Sequence, residues 1–355
     1  MSGAKGHILP FFIPMQGCAN RCVYCDQHII SGQLNAPAPQ QIEREALAYT
    51  GPRPAQIAFY GGSFTALPPD IQKAYLQAAK PALKRGLIDS IRVSTRPDAI
   101  DDAALNLLAA YGVTTVELGI QSFDEDVLNA AGRTYSPKKA RMACLAVHQA
   151  GFSLGVQLMT GLPLDTPQKS LRSIEQSCEI PADFFRIYPT LVLQNTPLAD
   201  MYAQGAYKPQ ELGEAVALAA DMLAIAAKRG IGVIRLGLNP SPSLERALVA
   251  GPYHPAFGQM VRGELKLRQA AFLLEQANGE AVLLGFPPKE RPLLFGQKNE
   301  QWQRLQTLYP GLAAKEDALL PHDALRVLLK AGESITLSLD DFLKHSIEHT
   351  PASAY

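Results

Sequence analysis

Cys18, Cys22 and Cys25 crowd into eight positions of a chain that has five cysteines in all. Secreted disulfide frameworks use more cysteines and spread them more evenly, whereas clustered thiols point to metal. A structural zinc wants four ligands, and His28 would complete Cys22-x2-Cys25-x2-His28, but no second ligand pair appears elsewhere. An iron–sulfur cubane suits the spacing better. Three thiolates from one tight loop leave the fourth iron free to chelate the amino and carboxylate groups of S-adenosylmethionine. Reductive cleavage of the sulfonium then gives a 5′-deoxyadenosyl radical, chemistry that belongs to the cofactor. On this reading Cys18, Cys22 and Cys25 are the metal ligands and catalytic core, and Tyr24 packs beside the cluster and the adenine. Cys144 and Cys178 fall in helical stretches and read as small buried apolar residues, so a second cluster is not expected.

Such a loop needs a frame. Short β-branched or aromatic runs at Ile8–Ile13, Gln56–Tyr60, Ser90–Thr95, Thr115–Ile120, Ser153–Met159, Phe184–Tyr188 and Gly232–Leu236 read as strands. Helical periodicity over Ile71–Arg85, Ala103–Ala110, Pro137–Ala150 and Glu211–Arg229 fills the gaps. Repeated β/α units predict a partial or full parallel barrel, with a doubly wound open sheet as the alternative. Either fold gathers chemistry at the C-terminal ends of its strands. The unusual segments Gln16–Gln27, Gly61–Thr65, Arg96–Asp98, Gln121–Phe123 and Thr160–Pro163 all fall there. Beyond about residue 240, turn-rich proline segments, a helix over Phe257–Asn278 and short runs near Ala281–Leu284 and Ser334–Leu339 predict a small α+β appendage. The expected division is therefore 1–240 for the barrel core and 241–355 for the appendage.

The cysteine spacing, with an aromatic before the third cysteine in a first β/α loop, resembles the radical S-adenosylmethionine superfamily over roughly residues 5–240. That resemblance implies cofactor contacts at the strand ends. Gly61-Gly62 matches the turn whose backbone carbonyls take the methionyl amino group, with Ser63 where many members carry Glu. Glycine there lets backbone approach a ligand closely. Gln121 and Arg133 match a pair that contacts the ribose and the carboxylate. Gln157, a polar residue in an apolar run, matches a position that faces the ribose. Gly161 would admit the adenine edge.

A further run resembles the Elongator catalytic subunit, which modifies wobble uridine in tRNA. It comprises Phe184–Val192, Asn195-Thr196-Pro197-Leu198 and Gly205-Ala206-Tyr207-Lys208-Pro209. No acetyltransferase segment is visible after the barrel, and Gly237-Leu238-Asn239-Pro240 replaces an Arg-rich turn. The resemblance therefore points to short, acetyltransferase-lacking Elongator-like proteins. That resemblance does not settle the substrate; the expected function is RNA (tRNA) base modification, with a reducing partner such as flavodoxin or ferredoxin. The competing readings are a small-molecule substrate (coproporphyrinogen-dehydrogenase-like), a peptide substrate, and a non-catalytic metal-stabilised RNA-binding module.

Composition adds exclusions. Basic and acidic residues balance at 33 each, so no global field draws the chain to nucleic acid or membrane. Any RNA contact must be local; Arg246, Tyr253, Arg262, Lys266 and Arg268 are candidates for a basic lip, and Phe295–Asn299 for a phosphate loop. No apolar run approaches the roughly 20 residues of a membrane helix, and Ile8–Ile13 lacks the features of a signal peptide. A cytoplasmic protein is expected.

Overall fold

The computed structural model describes residues 7–18 and 22–346. Residues 1–6, and Ala19–Arg21 within the cysteine loop, lie outside the described residues. The chain divides into two compact units, residues 1–211 with 238–253 and residues 212–237 with 254–355. The sequence placed a single boundary at 240; in the structure the chain passes between the two units three times.

Six strands of the first unit lie side by side in chain order, all parallel: β1 (His7–Phe12), β2 (Ala55–Tyr60), β3 (Ser90–Thr95), β4 (Val113–Gln121), β5 (Ser153–Thr160) and β6 (Phe184–Pro189). Sequence and structure agree on these strands to within two residues at each end, because β-branched and aromatic runs bounded by turns leave few alternatives. One face carries Ile57, Phe59, Ile91, Val93, Val116, Leu118, Leu154, Val156, Leu158, Phe185 and Ile187, all buried. Helices over Asp102–Ala110, Pro137–Gln149 and Pro167–Cys178 pack on this sheet. Each begins at a side-chain cap, from Asp101, Ser136 and Thr166 respectively. The opposite face keeps partial exposure at Tyr60, Ser94, Gly119, Gln157, Met159, Arg186 and Tyr188.

The sheet is curled. Arg186 of β6 donates to the Tyr60 hydroxyl of β2 at 2.7 Å, although three strands lie between them. In a flat sheet those strands would stand about 19 Å apart, at roughly 4.8 Å per neighbour, beyond the reach of both side chains. Strand β1 pairs with β2 alone, so the architecture is the partial form of the predicted barrel.

The second unit holds helices over Leu212–Lys228 and Phe257–Gln276, a strand over Gly232–Leu236, and a four-stranded mixed sheet. That sheet runs Ala313–Glu316, Ala281–Phe286, Leu325–Leu329, Ser334–Leu337. It realises the expected α+β appendage, but two of its strands had no sequence reading. Ala313–Glu316 is mostly exposed and carries charge, so no apolar alternation marks it. The basic lip is corrected. Lys266 is buried and bonded to Glu290 at 2.6 Å, Arg268 is paired with Glu264 and Asp221, and Arg262 donates to the Val233 carbonyl. On a helix packed on two sides, Lys266 and Arg268 serve the interior of their own unit, whereas Arg262 stays exposed. Among the described residues, no helix is long and apolar enough to cross a membrane.

Candidate active site

Two glycines set the cysteine loop against the end of β2. Gly17 has a positive φ of 71°, and a side chain there would run into the Ser63 carbonyl. Gly62 faces the Ile13 and Gln16 carbonyls just as closely, and the Ser63 amide donates to Gln16 at 3.0 Å. Gln27 closes the loop from its far side by accepting the Met15 amide at 3.1 Å. Cys18 and Ser63 come within 3.5 Å through sulfur and hydroxyl, and Ser63 is fully buried.

The remaining cysteines face inward. Cys22 and Tyr24 join a cluster with Val127, Ala131, Leu162, Val192, Leu198 and Tyr207, with Cys25 and Met159 packed against it. Burial pushes the Cys25 thiol up to about 12, and the neighbouring Cys22 and Cys18 push the same way, against Arg133. All three thiols therefore share one neighbourhood. His28 stands apart, in the short helix Gln27–Ser31, with its ring bonded to the Gln33 carbonyl at 3.1 Å.

The predicted polar residues converge on that loop. Gln121 sits at the end of β4 with a positive φ of 70°, and Gln157 of β5 donates to it at 3.2 Å. Gly119 leaves room for both the Gln121 amide and the Arg133 guanidinium. Arg133 is buried beside Tyr24, Tyr135 and Cys22, and its Nε has no partner among the described residues. The Tyr135 hydroxyl lies 2.9 Å from each of the Gly119 and Ile120 carbonyls and ties down the strand end. Gly61, Gly62, Ser63, Arg133 and Tyr24 thus lie beside the cysteine loop, and Gln121 and Gln157 join them through Gly119, which Arg133 also faces. Gly161 differs: its Cα faces the Gln210 side chain, and its carbonyl accepts from Tyr207 at 2.5 Å. The missing Cβ there makes room for Gln210.

Sequence reading marked the segment Arg96–Asp98 without giving it a role, and passed over the charged residues inside the strands. Arg96 binds Asp98 with two bonds, at 2.9 and 2.7 Å, and also reaches Thr134. Burial pushes the Asp98 carboxyl up, but the Arg96 bonds outweigh it and hold the group below its ordinary value. Arg92, Glu117 and Arg186 form a charged row on the inner face. The available signal was a single charged residue inside each of three otherwise largely apolar strands, which marks the uncovered face.

Comparison with known proteins now decides the family. Residues 12–175 match the Radical SAM superfamily and residues 182–267 the Radical_SAM C-terminal domain. The chain belongs to the radical SAM superfamily. Its cofactors are those of the family, a 4Fe–4S cluster and S-adenosylmethionine. The donor set fits them: three neighbouring thiols, glycine-bordered backbone, and a buried guanidinium with a free N–H. Among curated relatives, the radical SAM chain is 23% identical over 246 residues to the tRNA uridine(34) acetyltransferase of Dehalococcoides mccartyi, covering 59% of this chain and 54% of that one. It is 28% identical over 185 residues to Elongator complex protein 3 of Homo sapiens, covering 46% and 34%. The chain therefore spans about half the length of the first relative, and less of the second. Elp3 of the archaeon Methanocaldococcus infernus shares the fold, with a TM-score of 0.57 at 20% identity over 74% of this chain and 63% of that one.

Proposed function

We propose that Cys18, Cys22 and Cys25 hold the 4Fe–4S cluster of this radical SAM enzyme, and that the enzyme modifies a base of tRNA. The observation that carries the first half is the convergence of three thiols with Arg133, whose buried Nε lacks a partner. When bound, the cluster and S-adenosylmethionine supply a 5′-deoxyadenosyl radical. This chain's residues bind and orient. The Gly61-Gly62 backbone and Ser63 border the place for the methionyl amine, and Arg133 offers its guanidinium to a carboxylate. Gln121 and Gln157 present amides to a ribose, and Tyr24 walls off one side. Gly161 stands at the next strand end for the adenine edge. Tyr24, Leu162, Val192, Leu198 and Tyr207 exclude water from the cysteine side.

The second half rests on relatives whose names specify tRNA uridine(34). A low-potential protein such as flavodoxin or ferredoxin would be the reductant, and residues 241–355 would assist substrate recognition. Anaerobic reconstitution tests the cofactor reading. Wild-type protein should bind iron and release 5′-deoxyadenosine from S-adenosylmethionine under dithionite, and Cys22→Ala should do neither. Zinc in place of iron would overturn it. Nucleoside profiles of tRNA from wild-type and deletion strains test the substrate; an unchanged profile points to a small molecule or a peptide.

A further inference from the structure

The charged row on the inner face of the sheet is unbalanced. Arg92 and Arg186 donate to the same Glu117 oxygen, at 2.5 and 2.9 Å. Among the described residues, the other Glu117 oxygen receives only the Ser94 hydroxyl, at 3.4 Å. Every remaining partner is neutral. Gln56 accepts from Arg92 at 3.1 and 2.6 Å, and Arg186 donates to Tyr60 at 2.7 Å and to Tyr188 at 3.3 Å. Burial, with Glu117 beside it, pushes the Tyr60 phenol up to about 12, so it supplies no second negative charge at neutral pH. Two guanidiniums thus share one carboxylate.

The surplus sits on Arg186. Glu117 pairs in register with Gly155, and Gly155 with Phe184, which puts Arg186 two residues nearer the C-terminal strand ends. Its Nε is buried with no partner among the described residues, yet the side chain keeps 16% exposure. A buried unpaired donor on a charged group is costly unless something fills the place.

We propose that the inner face of this sheet binds an oxyanion of the substrate, a carboxylate or a phosphate, on Arg186. The Tyr60 and Tyr188 hydroxyls flank that site, and Glu117 holds both guanidiniums in place from below. A guanidinium fork matches either oxyanion through two parallel bonds. The inference rests on the reading above only in taking this face as the one the substrate enters.

The test uses the anaerobically purified, iron-containing full chain. Sodium acetate and inorganic phosphate are titrated separately at constant ionic strength, with thermal midpoint and tyrosine difference absorbance as readouts. Wild type should show a saturable response to at least one anion. Acetate alone assigns a carboxylate, and a response to phosphate assigns a phosphate. Arg186→Gln should weaken the response about tenfold or more, the equivalent of one lost charge-assisted bond. Arg186→Lys should fall between, keeping the charge without the fork. Glu117→Gln should bind the anion more tightly, because it removes the competing carboxylate. That variant decides the matter if Arg186→Gln does not fold. No saturable response in wild type, an unaltered response in Arg186→Gln, or weaker binding in Glu117→Gln would each overturn the proposal. Iron content and S-adenosylmethionine cleavage, measured on the same samples, report on the cluster reading separately.

Discussion

Replacing Gly62 with alanine should damage the cysteine loop without touching a thiol. A Cβ at Gly62 would lie 2.8 Å from the Ile13 carbonyl oxygen and 3.1 Å from the Gln16 carbonyl carbon, with the Gln16 oxygen closer still. All three are backbone atoms, so no side chain can swing aside. Relief requires the Gln16 carbonyl to withdraw, and that carbonyl is the acceptor for the fully buried Ser63 amide. Overpacking costs about 1–3 kcal/mol, and a buried amide left unpaired about 1–3 kcal/mol. The two belong to one movement and overlap, so the expected loss is about 2–4 kcal/mol. Because Gln16 lies two residues before Cys18, the displacement falls on the proposed ligands. Anaerobic chemical denaturation should show the lower midpoint, and iron per chain after reconstitution should drop. Gly213→Ala is the control: a Cβ there meets nothing within 4 Å, and alanine should be neutral or stabilise the helix by up to about 1 kcal/mol. Wild-type midpoint and iron content in Gly62→Ala would refute this account of the loop.

Cys22→Ala should abolish iron binding, whereas Cys144→Ala, at a fully buried helical position, should keep full iron and lose about 1 kcal/mol of stability; iron analysis beside denaturation separates them. Ser63→Ala removes the hydroxyl that contacts Cys18 and should lower the cluster's midpoint potential, since hydrogen bonds to cluster sulfurs stabilise the reduced state. If that bond is worth about 1 kcal/mol, the shift is roughly 40 mV, measurable by anaerobic redox titration followed by electron paramagnetic resonance. Asp98 is held below its ordinary value, so its contribution to stability is present above the unfolded pKa and is lost as pH falls through the folded one. Denaturation midpoints of wild type and Asp98→Asn should therefore converge on acidification below about pH 4; a gap that persists at low pH would contradict the pairing with Arg96.

Much of the site could be read along the chain because its parts are local. The cysteines lie within one loop, and Gly61, Gln121, Gln157 and Gly161 each lie in, end or follow a strand that β-branched and aromatic runs had already located. Partners across the sheet were not readable in this way. Nothing near Cys18 in sequence names Ser63, and nothing near Arg186 names Tyr60, 126 residues away. Gly161 shows the same limit: its turn was legible, but the occupant of the space beside it, Gln210, comes from a later loop.

The sequence by itself determined the parallel β/α order, the metal chemistry of Cys18, Cys22 and Cys25 as an expectation, and the strand ends that had to surround them. Short-range spacing carries that information, since residue type and period decide what a segment can do alone. Tertiary structure decided which polar groups are left without partners. The curl of the sheet brings β2, β4 and β6 together and puts two guanidiniums on one carboxylate. A folded helix also turned Lys266 and Arg268 from candidate RNA contacts into internal ion pairs. Charge balance within a buried cluster is a sum over neighbours in space, and no window of sequence contains them all.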